Sequence, residues 1–186
     1  MVDEDSDKGS GSGNDSGNRD EASSSIDPGS EDVKHSRQVA RRQAHWVRQA
    51  AAGVGVAFLL VGVAGFIPGV TTDYDQLSFA GHHSEAKLIG IFQVSVLHNL
   101  VHVLFGVAGL AAARTMRGAT YYLLGAGVIY IALWFYGVVI GHHTAANFVP
   151  VNDADNWLHL GLGVGMVLLG LMGRRAEIAP GEPVAR

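Results

Sequence analysis

Four apolar runs constrain this chain more than any other feature. Residues 47–67, 88–113, 119–140 and 156–173 contain hardly a charge. About 20 residues of helix, at about 1.5 Å each, cross a hydrocarbon core about 30 Å thick. Within lipid a segment must satisfy its own backbone hydrogen bonds, and a helix does so. The expected fold is therefore an all-α membrane protein, with four transmembrane helices in a bundle. Composition agrees, at 48% hydrophobic and 16% charged residues. A length of 186 residues allows one domain plus tails. The absence of Cys excludes disulfides, thiolate metal sites and Cys nucleophiles.

The flanks agree with the runs. Trp46 suits the headgroup level, as do Tyr121, Tyr122, Trp134 and Tyr136 near the ends of the third run. Pro68-Gly69 ends the first helix, because Pro lacks an N–H and Gly is permissive. The first 33 residues carry ten acids against two bases and little apolar surface. Such a segment cannot offset its ordering entropy. Residues 1–43 are expected to form a disordered acidic tail that turns basic near the membrane. The start is acidic and far from any apolar run, so no secretory signal is read. Lys34, Arg37, Arg41, Arg42 and Arg48, then Arg114 and Arg117, then Arg174 and Arg175 flank the spans on one side. The connections 68–87 and 141–155 together hold only Lys87. Basic residues favour the cytoplasmic side, which predicts a multi-pass cell-membrane protein with both termini cytoplasmic. Residues 176–186 form a short tail.

One motif occurs twice. Asn99-Leu100-Val101-His102 is followed by Gly106, and Asn156-Trp157-Leu158-His159 by Gly163. The two copies lie in spans of the same direction. His102 stands 12 residues before Arg114 and His159 15 before Arg174. Both therefore sit about 18–22 Å from the inner edge. A duplicated two-helix hairpin with a pseudo-twofold along the membrane normal follows. Ser95, His98, Asn99, His102 and Gly106 share one helical face, as do Asn156, His159, Gly163 and Gly170. Polar side chains facing lipid are costly, so these two stripes should face each other inside the bundle. Gly109-x-x-x-Ala113 and Gly161-x-x-x-Gly165 read as close helix contacts.

Two stretches carry a resemblance. One is Phe92-Gln93-Val94-Ser95-Val96-Leu97-His98-Asn99-Leu100-Val101-His102, with Gly106-Val107-Ala108-Gly109-Leu110 after it. The other is Asn147-Phe148-Val149-Pro150-Val151-Asn152, running into Asp155-Asn156-Trp157-Leu158-His159-Leu160-Gly161. Over residues 50–173 the chain resembles the small four-span bacterial membrane family known as domain of unknown function 4383. The resemblance implies a membrane location; it implies no activity, cofactor or ligand.

Three functions suit the polar residues. The favoured one is structural: Asn and His side chains hold helices in register within a membrane scaffold or accessory subunit. A second is proton or small-solute transport along the His/Asn stripe, since intramembrane His titrates near neutral pH. A third is a haem or metal site built from His98, His102 and His159. In the outer loops, His82 and His83 with His142 and His143 are weaker metal candidates, with Asp75, Asp153 or Asp155 nearby. No phosphate loop, nucleophile setting or His-Glu-x-x-His is present, so no enzyme, catalytic residue or required cofactor is read. The expected partners are the lipid bilayer and a second membrane protein or copy of the chain. The Lys34–Arg48 stretch suits anionic lipid better than nucleic acid.

Overall fold

The computed structural model describes residues 28–140 and 144–178. Four helices dominate: α1 (Pro28–Ala64), α2 (Val96–Ala112), α3 (Met116–Val139) and α4 (Asp153–Ile178). Three segments are long and apolar enough to cross a membrane: His45–Ala64 of α1, all of α3, and Asp153–Arg175 of α4. Helix α2 is apolar but shorter, at 17 residues.

Helix α1 starts well inside the segment expected to be disordered. Residues 28–43 continue the apolar helix backward, with Lys34 Nζ 2.9 Å from Glu31 Oε1 one turn away. A helix already nucleated and packed downstream extends at little cost through good helix formers. The rest of the acidic tail, residues 1–27, lies outside the described residues, as do 179–186.

The apolar run from Leu88 is not one helix. Between α1 and α2 the chain builds a small antiparallel sheet in the order β1 (Thr71–Thr72), β2 (Lys87–Leu88), β3 (Phe92–Gln93). A tight turn at Ile89-Gly90 reverses the chain, with both residues at positive φ. Ala86, Leu88 and Val94 form a small core under Ala64, Leu77 and Phe92. The Ser84 hydroxyl donates to Val94 O and accepts from Ser78 N. Helix α2 starts only at Val96 because its first N–H groups are satisfied there. Val96 N and Leu97 N donate to Ser78 O and Phe79 O, and His98 N to the Ser95 hydroxyl. Hence 88–95 belongs to a structured cap at this loop end, and the helix expected over 88–113 shortens to α2.

Helix α4 starts by the same device. Asn152 Oδ1 accepts from Asp155 N, while Asp155 Oδ2 accepts from Asn152 N, a reciprocal capping box. At the opposite, basic end, Arg48 Nε donates to Ala113 O at the C-terminus of α2, where carbonyls lack helical partners.

Helix α1 packs mainly on α2, and α3 mainly on α4. The two seams use equivalent residues. A Cβ on Gly55 would stand 2.9 Å from Gly106 O and from Leu110 N. A Cβ on Gly127 would stand 2.8 Å from Gly163 O and from Val167 N. Gly65 lies under the Asn99 side chain, and Gly137 under that of Asn156. Each α3 residue here follows its α1 counterpart by 72 positions, and each α4 residue its α2 counterpart by 57. The expected Gly161-x-x-x-Gly165 contact is absent: a Cβ at either position meets nothing within 4 Å. Gly163, Gly170 and Gly173 make the α4 contacts instead. Between the hairpins lie Phe58, Leu123, Ala126, Tyr130 and Met166, all buried.

Candidate functional site

The polar residues of α2 and α4 divide into two groups. Asn99 and Asn156 do not face each other; each covers the glycine of its own hairpin partner. An added Cβ at either glycine would collide with the amide that covers it. Ser95 serves as the α2 cap. The histidines do converge. His98 and His102 stack one turn apart, with ring centroids 4.7 Å apart, and His98 lies 6.2 Å from His159 on α4.

Helix α3 adds a residue that sequence reasoning missed. The Tyr130 ring stands perpendicular to His159 at 5.0 Å and stacks on Phe58 of α1 at 5.2 Å. Its hydroxyl lies 3.3 Å from His102 Nε2. His102 Nδ1 lies 3.0 Å from His98 O, which can only accept. Nδ1 therefore carries the hydrogen, and Nε2 accepts from the Tyr130 hydroxyl. Phe58 and Tyr130 are themselves equivalent, 72 positions apart. Their stack marks where the hairpins meet. A signal for Tyr130 existed: Gly-Val-x-aromatic, then Gly seven residues on, occurs at 55–65 and at 127–137.

The hairpins differ at one position on this wall. The counterpart of His98 is Asp155, 57 positions later. Asp155 is buried, and its Oδ2 accepts from Gln93 N at 3.1 Å and Asn152 N at 2.9 Å. Asn152 Nδ2 in turn donates to Ile91 O. This carboxylate thus ties the β2–β3 hairpin of the first half to α4 of the second. Below, toward the basic end, Phe58, Phe105 and Tyr130 close the cluster edge to face.

A cavity of about 310 Å³ opens beside these residues. Its polar wall is His98, His102, His159 and Asp155; its apolar wall comes from α1, the sheet and α4, including Leu60, Leu88, Phe92 and Leu158. His98 and His159 are 5% and 3% exposed, and the Nδ1 of each has no hydrogen-bond partner. The carbonyls of Pro150 and Gln93 lie beside the His98 ring but make no well-formed bond to that nitrogen. A larger hollow of about 460 Å³, lined by Trp134, Gly137, Asp153, Asn156 and Trp157, lies at the α3–α4 loop end.

A family model described as a domain of unknown function, DUF4383, matches residues 48–172. The chain belongs to this family. The match takes in all of α2 and α3, the capping loops and both copies of the Asn/His motif. Neither a curated protein nor a solved structure matches the chain.

The outer-loop metal reading divides. His82 and His83 stack tilted, with centroids 3.9 Å apart, whereas His142 and His143 lie outside the described residues. Among the described residues no group of three or more His, Asp or Glu side chains is arranged to hold a metal ion. Asp155, one of the acids considered for that site, is instead engaged by backbone N–H groups beneath the sheet.

Proposed function

We propose that this chain is a four-span protein of the cell membrane, built by duplication of a helical hairpin, with both termini in the cytoplasm. It serves as a structural or accessory membrane component rather than an enzyme. The outward faces carry the observation that supports this most. Leu60, Leu104, Val128, Phe135, Val139, Trp157 and Leu168, spread over all four helices, are each more than half exposed. So large an apolar belt belongs against lipid, since soluble monomers rarely expose contiguous apolar patches beyond a few hundred Å². Helix α2, at 17 residues, spans about 25 Å and needs either local thinning or the sheet cap above it. The equivalent glycine seams and the constant residue offsets favour duplication. The arginines at the α2–α3 turn, in the first half of α1 and in the last turns of α4 favour cytoplasmic termini.

In this reading Asn99 and Asn156 lock each hairpin in register. Transport along the stripe finds less support, because Phe58, Phe105 and Tyr130 pack against one another directly below the histidines. The test uses the natural absence of Cys. Single cysteines at Ser36, Asp75, Met116 and Ala145 are exposed to a membrane-impermeant maleimide in intact cells. Labelling of Asp75→Cys and Ala145→Cys alone is expected, with Ser36→Cys and Met116→Cys reacting only after permeabilisation. Labelling of Asp75 and Ala145 on opposite sides would overturn the four-span arrangement.

A further inference from the structure

We propose that the β2–β3 turn dips into the outer edge of the bilayer and contacts lipid acyl chains beside the end of α1. This interaction surface rests on the membrane-spanning reading and goes beyond it. Ile89 and Ile91 at the turn are 59% and 51% exposed. No charge occurs from Leu88 to Ser95.

The lengths of the helices put this turn at lipid depth. Arg48 Nε donates to Ala113 O, so the basic ends of α1 and α2 lie side by side. Counted at about 1.5 Å per residue, Ala64 stands about 24 Å beyond Arg48, and Val96 about 25 Å beyond Ala113. A hydrocarbon core about 30 Å thick therefore continues about 5 Å past both helix ends, and any helix tilt lengthens that stretch. The cap is the part of the chain that stands there. The Thr71 hydroxyl donates to Ala64 O and Ile89 N donates to Val70 O, which hangs the turn from the end of α1. Val70 and Ile89 line one hollow with Leu60 and Val61 of α1. Leu60 belongs to the outward apolar belt, so belt and turn form one continuous apolar surface.

The backbone of the turn suits lipid as well. Hydrocarbon offers a peptide group no partner, so a chain enters it only with its own hydrogen bonds made. Ile89, Gly90, Ile91 and Val94 donate their N–H groups to the carbonyls of Val70, Lys87, Leu88 and Ala86. Gln93 N donates to Asp155 Oδ2, and Ile91 O accepts from Asn152 Nδ2. A turn standing in water can leave such groups to solvent. Lys87, just before the turn, is long enough to carry its charge up to the headgroups.

The test uses single cysteines at Ile91, at Leu104 in the middle of α2, and at Asp75 on the exposed side of the cap. Each carries an NBD fluorophore and is reconstituted in vesicles of phosphatidylcholine and phosphatidylglycerol, with a wild-type circular dichroism spectrum as the check on folding. The quenchers are iodide on both sides of the membrane and two doxyl lipids, labelled near the headgroup and near the chain end. Ile91→Cys is expected to lose emission mainly to the headgroup-end doxyl lipid and to resist iodide. Leu104→Cys should lose emission mainly to the chain-end lipid, and Asp75→Cys to iodide alone. Iodide quenching of Ile91→Cys as strong as that of Asp75→Cys, with Leu104→Cys still quenched by doxyl lipid, would overturn the proposal and leave the membrane reading standing. Shielding of Ile91→Cys from iodide and from both lipids would also overturn it, because a second copy or another protein would then cover the turn. No doxyl quenching of Leu104→Cys would overturn the membrane reading, and this proposal with it.

Discussion

Replacing Gly127 by Ala should destabilise the protein, although Ala is the better helix former. The added Cβ would stand 2.8 Å from Gly163 O and Val167 N, where ordinary contact begins at 3.4 Å. The shortfall is about 0.6 Å, and both obstructing atoms are backbone, so a rotamer change cannot relieve it. Overpacking of this kind costs about 1–3 kcal/mol. The gain from replacing an interior helical Gly by Ala is about 0.5–1 kcal/mol. With both obstructing atoms in the backbone the cost falls in the upper half of its range, and a net loss of about 1–2.5 kcal/mol remains. Gly55→Ala, whose Cβ meets Gly106 O and Leu110 N at 2.9 Å, should lose the same amount. Gly125→Ala and Gly161→Ala meet nothing within 4 Å and should gain about 0.5–1 kcal/mol. The assay is reversible unfolding in mixed micelles, followed by far-ultraviolet circular dichroism and read as a difference in free energy. A Gly127→Ala variant as stable as wild type would refute the close-approach reasoning. A loss in Gly55→Ala without one in Gly127→Ala would refute the equivalence of the two seams.

Three further outcomes follow from local geometry. Ile89 has φ 48° in the β2–β3 turn with its side chain 59% exposed, a conformation that favours Gly or Asn. Ile89→Gly should therefore raise stability by about 1 kcal/mol in the same unfolding assay, and a loss would mean that the exposed side chain makes a stabilising contact. Asp155→Ala removes the acceptor for Gln93 N and Asn152 N and should cost about 1–3 kcal/mol. Asp155→Asn keeps an oxygen at that place and should cost less than half as much, so equal losses would locate the effect in the charge. Arg48→Leu removes the donor to Ala113 O and should cost about 1 kcal/mol, whereas no change would mean that water caps α2 equally well.

The sequence revealed the α2 and α4 motif because Asn, His and Gly at fixed spacing are rare in an apolar background. The corresponding match of α1 with α3 was harder to read. It rests on Gly55, Phe58 and Gly65 against Gly127, Tyr130 and Gly137, and glycines are common in such helices. Which glycine touches a neighbour depends on helix rotation, which spacing alone does not fix; Gly161 and Gly165 fit the small-x-x-x-small pattern and face away. The shared face of Asn99 and His102 was legible. Their different destinations were not, because the seam glycine and the Tyr130 ring come from other helices.

The sheet cap was hidden by hydrophobicity. Leu88, Ile89, Ile91, Phe92 and Val94 extend the apolar run of α2 without a charge, and an apolar stretch alone does not distinguish strand from helix. The available signals were Gly90 within the run and Ser95, a good N-cap, three residues before His98. Asp155 was read as a loop acid because its partners, Gln93 N and Asn152 N, are backbone groups with no signature of their own.

The pairing of equivalent hairpins is tested most directly by cross-linking Phe58→Cys to Tyr130→Cys in native membranes, in a chain with no other Cys. The two rings stack with centroids 5.2 Å apart, on helices from different hairpins. A membrane-permeant bis-maleimide with a short flexible spacer should yield an internal cross-link that survives denaturation and reduction, with neither single-Cys variant shifting. Cross-links only between separate copies of the chain, or none at all, would contradict the arrangement of the two hairpins around this aromatic pair.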